Sequence, residues 1–255
     1  MNYYERESKI FEIISQEKSV SVNKLVRMLY FSPATIRRDL KAMENKGLIK
    51  RVHGGAILFV SPNEETSVIL REESFKKEKK EICQACSGLI KNNQSMFLDS
   101  SSTVCNLIPL LNEFKSLTIV TNGLNAALKI GQTTKFKAYV PNGFVKIQSN
   151  SIIGETAYNT LSKLYCDLFI FSCAGLSIEN GITEQAIEQA EIKSIMAKRS
   201  KKKILLVDSS KFEKTYIVRA MPLEDVDVVI TDKRPDDKFV DFCQNAKIEL
   251  IICEK

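Results

Sequence analysis

The sequence predicts an α/β chain of two domains: a small helical unit ending in a β-hairpin, then a larger unit built on a parallel sheet. Three observations predict it. Apolar residues recur at helical spacing through the first sixty residues, as in Ile10, Phe11, Ile13 and Ile14. From about Lys76 onward, short and nearly continuous apolar runs alternate with amphipathic stretches, the pattern of a parallel sheet covered on both faces. Charge is also divided unevenly: residues 1–60 carry 11 Lys/Arg against 6 Asp/Glu, the remainder 26 against 25. Nearly all of the net +6 therefore lies in the first quarter, which suits a polyanionic partner for that part.

In the small unit, a first helix is expected over about Glu5–Glu17, then an extended piece, Ser19–Val22, and a short helix, about Asn23–Leu29, with Leu25, Val26 and Leu29 facing inward. Tyr30-Phe31 make a turn. Ser32 suits a helix N-cap and Pro33 the first helical position, where its missing N–H costs nothing. A third helix then runs to about Lys46, with Gly47 as its C-terminal cap. Leu48–Val52 reads as a strand, Gly54-Gly55 as a turn and Ala56–Val60 as a returning strand. The domains are expected at 1–60 and 76–255, with a polar linker and connecting segment over 61–75.

The third helix buries Ile36, Leu40 and Met43 on one face, which leaves Ala34, Thr35, Arg37, Arg38 and Lys41 outward. Arginine bonds guanine bidentately, Thr and Ala meet a thymine methyl, and a helix N-terminus capped by Ser32 favours phosphate. A short helix and a tight turn directly before it complete a helix-turn-helix. Lys50, Arg51, His53 and Gly54 then form a basic hairpin, a wing placed to touch phosphate or the minor groove. Asp39, beside the two arginines, is expected to form a salt bridge or orient one of them.

In the larger unit, polar clusters follow predicted strands. Asp99, Ser100, Ser101, Ser102 and Thr103 come after Met96–Leu98; Thr121, Asn122 and Gly123 after Ile119-Val120; Gly143 after Tyr139-Val140; Gly175 after Phe169–Cys173; and Lys211 with Asp208–Ser210 after Leu205–Val207. Gly181, Thr183 and Glu184 precede another helix. Loops at the carboxyl ends of parallel strands gather on one edge, where ligands bind. Hydroxyls, backbone N–H groups and helix N-termini suit an anion, phosphate above all. Lys211 supplies a positive charge, and Asp99 and Glu184 can accept from sugar hydroxyls.

Ser21 through Ala56, with Thr35-Ile36-Arg37-Arg38-Asp39-Leu40, Gly47 and Arg51-Val52-His53-Gly54-Gly55-Ala56 in order, resembles the DeoR-type family of bacterial repressors of sugar metabolism. The resemblance continues through Thr121-Asn122 and Asp208-Ser209-Ser210-Lys211-Phe212. It implies a winged helix-turn-helix followed by a domain resembling the ribose-phosphate isomerase fold, and a homo-oligomer, dimer or tetramer, that binds double-stranded operator DNA and responds to a phosphorylated sugar. This chain departs from the family pattern at Ser101, where glycine is usual, and at Asn142, where the family has the first of two glycines.

No cofactor or metal is expected: there is no Walker loop, no dinucleotide fingerprint and no zinc-ligand set. The seven cysteines lie mostly in apolar runs and read as reduced core thiols, Cys83-x-x-Cys86 included. Met1–Ile10 is polar and no apolar run approaches a membrane span, so a cytoplasmic chain is expected. Two other readings share these residues: a sugar-phosphate isomerase or transferase, since carboxylates and a lysine line the same edge, and an activator or a regulator answering another anion.

Overall fold

The structure, a computed structural model, describes residues 3–17, 19–45, 48–58, 65 and 67–253. Gly47, Lys46, the last residues of the predicted returning strand and residues 61–64 and 66 of the predicted linker lie outside them. The chain divides into two units, Met1–Ser74 and Phe75–Lys255.

The first unit runs α1 (Tyr3–Glu17), β1 (Ser19–Ser21), α2 (Val22–Leu29), α3 (Pro33–Asn45), β2 (Ile49–Val52), β3 (Gly55–Leu58) and α4 (Val68–Glu73). The last is a helix within the segment read from sequence as linker. Ile10, Phe11, Ile14, Leu25, Ile36, Leu40, Met43, Leu48 and Ile49 pack one core beneath all three main helices. Ser21 caps α2 by accepting from the Lys24 N–H at 3.2 Å. Tyr30 ends α2 in the left-handed region (φ 58°), with its N–H on the Val26 carbonyl at 2.9 Å. That residue makes the sharp turn into α3. β1, β3 and β2 form an antiparallel sheet in that order.

The second unit runs α5 (Lys76–Ser87), β4 (Ser95–Leu98), α6 (Ser102–Cys105), β5 (Thr118–Thr121), α7 (Leu124–Thr133), β6 (Ala138–Tyr139), β7 (Phe144–Lys146), β8 (Ser151–Ile153), α8 (Glu155–Leu161), β9 (Cys166–Phe171), β10 (Gly175–Ser177), β11 (Gly181–Glu184), α9 (Ile187–Lys198), β12 (Ser200–Val207), β13 (Val218–Met221), β14 (Val228–Thr231), α10 (Asp237–Asn245) and β15 (Glu249–Ile252). Seven strands form the main sheet in the order β15-β14-β12-β9-β4-β5-β6, all parallel. Alternate residues feed opposite faces: Phe97, Phe169, Phe171 and Leu205 pack under α9 and α10, while Met96, Leu98, Ile170 and Ile204 pack under α5 and α7. The sequence therefore forms a doubly covered sheet because both faces of each strand are apolar.

From β4 the chain steps through β5 to β6, returns to β9 on the other side of β4, and continues outward to β15. The order of strands thus reverses between β4 and β9, the point where a parallel sheet opens a crevice for ligands. Two features lie outside the sequence expectation. β7 and β8 form a two-stranded flap, and β10, β11 and β13 form a separate antiparallel sheet. The segments expected as loops around Gly175 and around Gly181–Glu184 are strands of that second sheet. Thr103–Leu111, whose apolar spacing predicts one helix, forms the short α6 followed by a 3₁₀ stretch, Ile108–Glu113.

Candidate functional sites

On α3, Ser32 accepts from the Thr35 N–H at 3.2 Å and shares a hydroxyl bond with Thr35 at 3.0 Å, so cap and first turn are fixed together. Ser32, Ala34, Arg37, Arg38 and Lys41 are exposed and Thr35 is half-buried. Asp39 faces the other way. It is fully buried and accepts from two of the three guanidinium nitrogens of Arg6 on α1, Nε and Nη2. Arg6 also lies over the Phe31 ring at 4.8 Å, and its bond to Asp39 holds its pKa above the ordinary arginine value. Asp39 thus pairs with α1 and leaves Arg37 and Arg38 unencumbered on the outer face.

The wing is a tight hairpin. Gly54 takes φ +78°, a conformation glycine adopts without strain, and turns β2 into β3. Lys50, Arg51, His53 and Gly54 are all exposed. The Arg51 N–H donates to Glu44 of α3 at 2.8 Å and its guanidinium lies 3.8 Å from that carboxylate, which fixes the wing against α3.

At the switch point, Asp99 is buried and saturated. Its Oδ1 accepts from the Ser101 N–H (3.0 Å) and hydroxyl (2.6 Å); its Oδ2 accepts from the Ser172 N–H (3.2 Å) and lies 3.3 Å from Lys193 Nζ. Lys193, on α9, also donates to Glu184. Burial pulls the lysine pKa down, but Glu184 and Asp99 more than offset this and hold it above the ordinary value. Four residues further back on the same helix, Gln189 accepts from the Ser100 hydroxyl (3.2 Å) and donates to Ser149 (2.8 Å) and Ser151 (2.7 Å) beside and on β8. Gly123 abuts this network: a Cβ there would stand 2.9 Å from the Ser100 Cα. The adjacent Asn122 donates to the Ile152 carbonyl at 3.4 Å, and its Oδ1 is buried without a partner.

Asp99, Ser100, Ser101, Glu184, Asn122, Gly123 and, through its bond to the Gly123 N–H (3.0 Å), Thr121 are therefore brought together. Ser102 and Thr103 turn toward α5, where Lys79 donates to the Ser102 hydroxyl (3.1 Å) and the Cys83 thiol to the Thr103 carbonyl (3.2 Å). Thr183 is occupied in the second sheet: it donates to the Gly175 carbonyl and accepts from the Tyr216 N–H, each at 3.1 Å. Gly181 turns β10 into β11, and Gly143 starts the flap. Lys211 is half-buried and close enough to influence the Cys173 thiol, which burial pushes up. A cavity of about 660 Å³ lies elsewhere, at the amino-terminal ends of β12 and β14 against α9 and β13.

Sequence reasoning missed Lys79, Gln189, Lys193 and the Ser149–Ser151 pair. A signal for two of them was present. Gln189 and Lys193 stand four apart on a helix whose inner positions are otherwise Ala190, Ile192, Met196 and Ala197, so two long polar side chains share a buried face.

An exposed basic helix with a wing, carried in one chain with a parallel-sheet unit whose switch point is filled by buried polar groups, defines a DNA-binding transcription regulator with a sensing domain. Residues 6–61 match the DeoR-like helix-turn-helix domain and residues 74–233 the DeoR C terminal sensor domain. The chain belongs to the DeoR family. It is 33% identical to the HTH-type transcriptional regulator GolR of Listeria innocua over 98% of this chain and 99% of that one. The glycerol-3-phosphate regulon repressor of Haemophilus influenzae is 31% identical over 97% and 96%, and the L-fucose operon activator of the same organism 29% identical over 99% and 100%. Among solved structures, ribose 5-phosphate isomerase A from Methanocaldococcus jannaschii superposes on 55% of each chain with a TM-score of 0.41 at 14% identity. No helix among the described residues is long and apolar enough to cross a membrane.

Proposed function

We propose that this chain is a cytoplasmic repressor of a carbohydrate-utilisation operon, bound to its operator as a homo-oligomer and released by a phosphorylated sugar. The observation that carries this reading is the pairing, in one chain, of an exposed Arg37–Arg38–Lys41 face with a buried, charge-paired polar network at the sheet's switch point. The first has no use for packing, and the second costs desolvation, a cost that a ligand-binding or switching role accounts for. The glycerol-3-phosphate repressor among its relatives supports a phosphorylated polyol as effector class.

In this reading phosphate contacts hold the helix and wing on DNA, while Arg37, Arg38 and Thr35 read bases. Lys211 and the loop from Ser100 to Thr103 take the effector's phosphate, and the Asp99–Lys193–Glu184 triad fixes that loop. The effector must bind the DNA-releasing conformation more tightly than the DNA-holding one, by a factor that sets the response. Relatives named as regulators favour sensing over catalysis. The fucose activator among them favours a second reading, in which the effector tightens DNA binding.

Fluorescence anisotropy of labelled upstream DNA, titrated with protein and then with sugar phosphates, tests the proposal. Release by a phosphorylated sugar and not by its unphosphorylated form supports it, tightening by the same compound supports the activator, and turnover of the compound without DNA would mean an enzyme. Arg37→Ala is expected to lose about 1–3 kcal/mol of operator affinity and to relax base preference at one position; unchanged affinity would remove Arg37 from the interface. Lys211→Met is expected to leave DNA affinity intact and to raise the effector concentration for release roughly 10- to 100-fold, the worth of a charge-assisted bond to phosphate. Release at an unchanged concentration would exclude Lys211 from the site.

A further inference from the structure

The hairpin of β7 and β8 carries its polar side inward and its apolar side outward. Strand residues alternate between two faces, and cross-strand partners share one. Lys146 pairs in register with Ser151. Lys146 Nζ lies 2.8 Å from Glu188 of α9, and Ser151 accepts from Gln189 of the same helix at 2.7 Å. Ile153, two residues on from Ser151, packs against the core. These side chains mark the inner face. The opposite face carries Val145 and its partner Ile152, with Ile147 beyond them at the turn. Val145 and Ile147 are exposed, the latter by 79%. Phe144, whose ring comes within 3.1 Å of where a Cβ on Gly154 would stand, is exposed by 76%. A hairpin that faces only water turns polar residues outward, so this one is built to be covered.

The apolar surface continues past the hairpin. Tyr139 of β6, an edge strand of the main sheet, and Val140 directly after it are exposed. So is Leu128 of α7, one turn after Asn125, whose Oδ1 accepts from Asn150 in the hairpin turn at 3.3 Å. Among the described residues, no other run of this length holds as many exposed large apolar side chains as residues 139–147. The one charge within that run, Lys146, is paired with Glu188. The six exposed side chains together offer on the order of 700 Å² per copy, which exceeds the largest patch of an ordinary monomer and approaches the ~800 Å² that each partner buries in a standard interface.

We infer that this face, the outer side of the β7–β8 hairpin with the β6 edge and Leu128, is where two copies of the chain join about a two-fold axis. The inference rests on the proposed homo-oligomer and adds its contact surface. A two-fold contact must complement itself, and an apolar, charge-paired face meets its own copy without like-charge repulsion. The first unit offers no such surface: its exposed large apolar side chains, among the described residues, are Met28 and Tyr30 at the end of α2 and Val52 on the wing. Helix-turn-helix units act in pairs on half-sites about one DNA turn apart, so a second copy is the partner that the DNA-binding half requires.

Sedimentation velocity of the full chain over a dilution series, with amide hydrogen exchange at both ends of the series, tests this. In the wild-type chain, exchange over residues 139–147 is expected to be about tenfold slower or more when the chain is assembled. Ile147→Glu sets an unpaired carboxylate into the contact from each copy and is expected to raise its dissociation constant about 100-fold or more. Ile217→Glu, at a side chain 82% exposed just before β13, should leave assembly as it was. Circular dichroism checks that both variants are folded. An Ile147→Glu chain that assembles as tightly as the wild type overturns the inference: the homo-oligomer then forms through another surface, and this face is left to a partner of another kind. Equal losses from Ile147→Glu and Ile217→Glu overturn it as well, since any added surface charge would then suffice. So does a wild-type chain whose exchange over 139–147 is the same assembled and dissociated, a result that needs no variant to fold. A wild-type chain that is monomeric at every concentration overturns the homo-oligomer reading itself, and the inference falls with it.

Discussion

Lys193→Met is expected to destabilise the sensing unit by about 3–5 kcal/mol, the cost of removing one partner from a buried ionic group. The ammonium stands between Asp99 and Glu184, and all three side chains are less than a tenth exposed. Without it two carboxylates share a buried site. Asp99 keeps its bonds from Ser101 and Ser172, so the charge that becomes untenable is shared between the pair. Desolvation and like-charge repulsion then raise a carboxyl pKa in the folded variant above its unfolded value. A group with a raised folded pKa binds more protons when folded, so its penalty shrinks as the pH falls through that pKa. The variant's deficit against the wild type should therefore be largest near neutral pH and smaller near pH 5. Urea denaturation at several pH values reads this directly. A deficit that is constant with pH would mean that packing, and not charge, is what Lys193 contributes. Lys193→Met should also abolish release by the effector, because the loop from Asp99 to Thr103 is held at Asp99.

Much of this was legible in the sequence. The strands of the main sheet declare themselves because both faces are apolar, and Ser95–Leu98 falls where the apolar run places it. The recognition helix is legible because Ser32-Pro33 marks its start and Ile36, Leu40 and Met43 mark its inner face. The flap and the second sheet are not legible, since their strands are three or four residues long and are set by long-range pairing, as when Thr183 meets Arg219. The site was legible at the loops and illegible on α9. A loop after a strand announces a ligand edge, whereas Gln189 and Lys193 acquire meaning only when the chain brings them to Ser100 and Asp99, 89 residues away for the first pair. Asp99, expected from the sequence to accept from a sugar, accepts in the structure from Ser101 and Ser172 and pairs with Lys193, partners that no loop pattern announces.

The second large effect belongs to Asp39. Asp39→Ala leaves the Arg6 guanidinium buried over the Phe31 ring and without its carboxylate. The expected loss is again about 3–5 kcal/mol, and it falls on a unit of 74 residues, which has little stability to spare. Operator binding should fail at 37 °C although no DNA-facing side chain has changed. The effector should still bind, since the residues proposed to hold it all lie in the other unit. This separates Asp39→Ala from Arg37→Ala, which should weaken DNA binding with the melting profile unchanged. Replacing both partners, Arg6→Met with Asp39→Leu, removes the stranded charge along with its mate and is expected to recover most of the stability, because a well-packed apolar pair can match a buried ion pair. Scanning calorimetry of the three chains decides the matter. If the double variant melts as early as Asp39→Ala, the pair acts through shape and not charge; if Asp39→Ala melts with the wild type, the salt bridge between α1 and α3 does not hold the recognition helix in place.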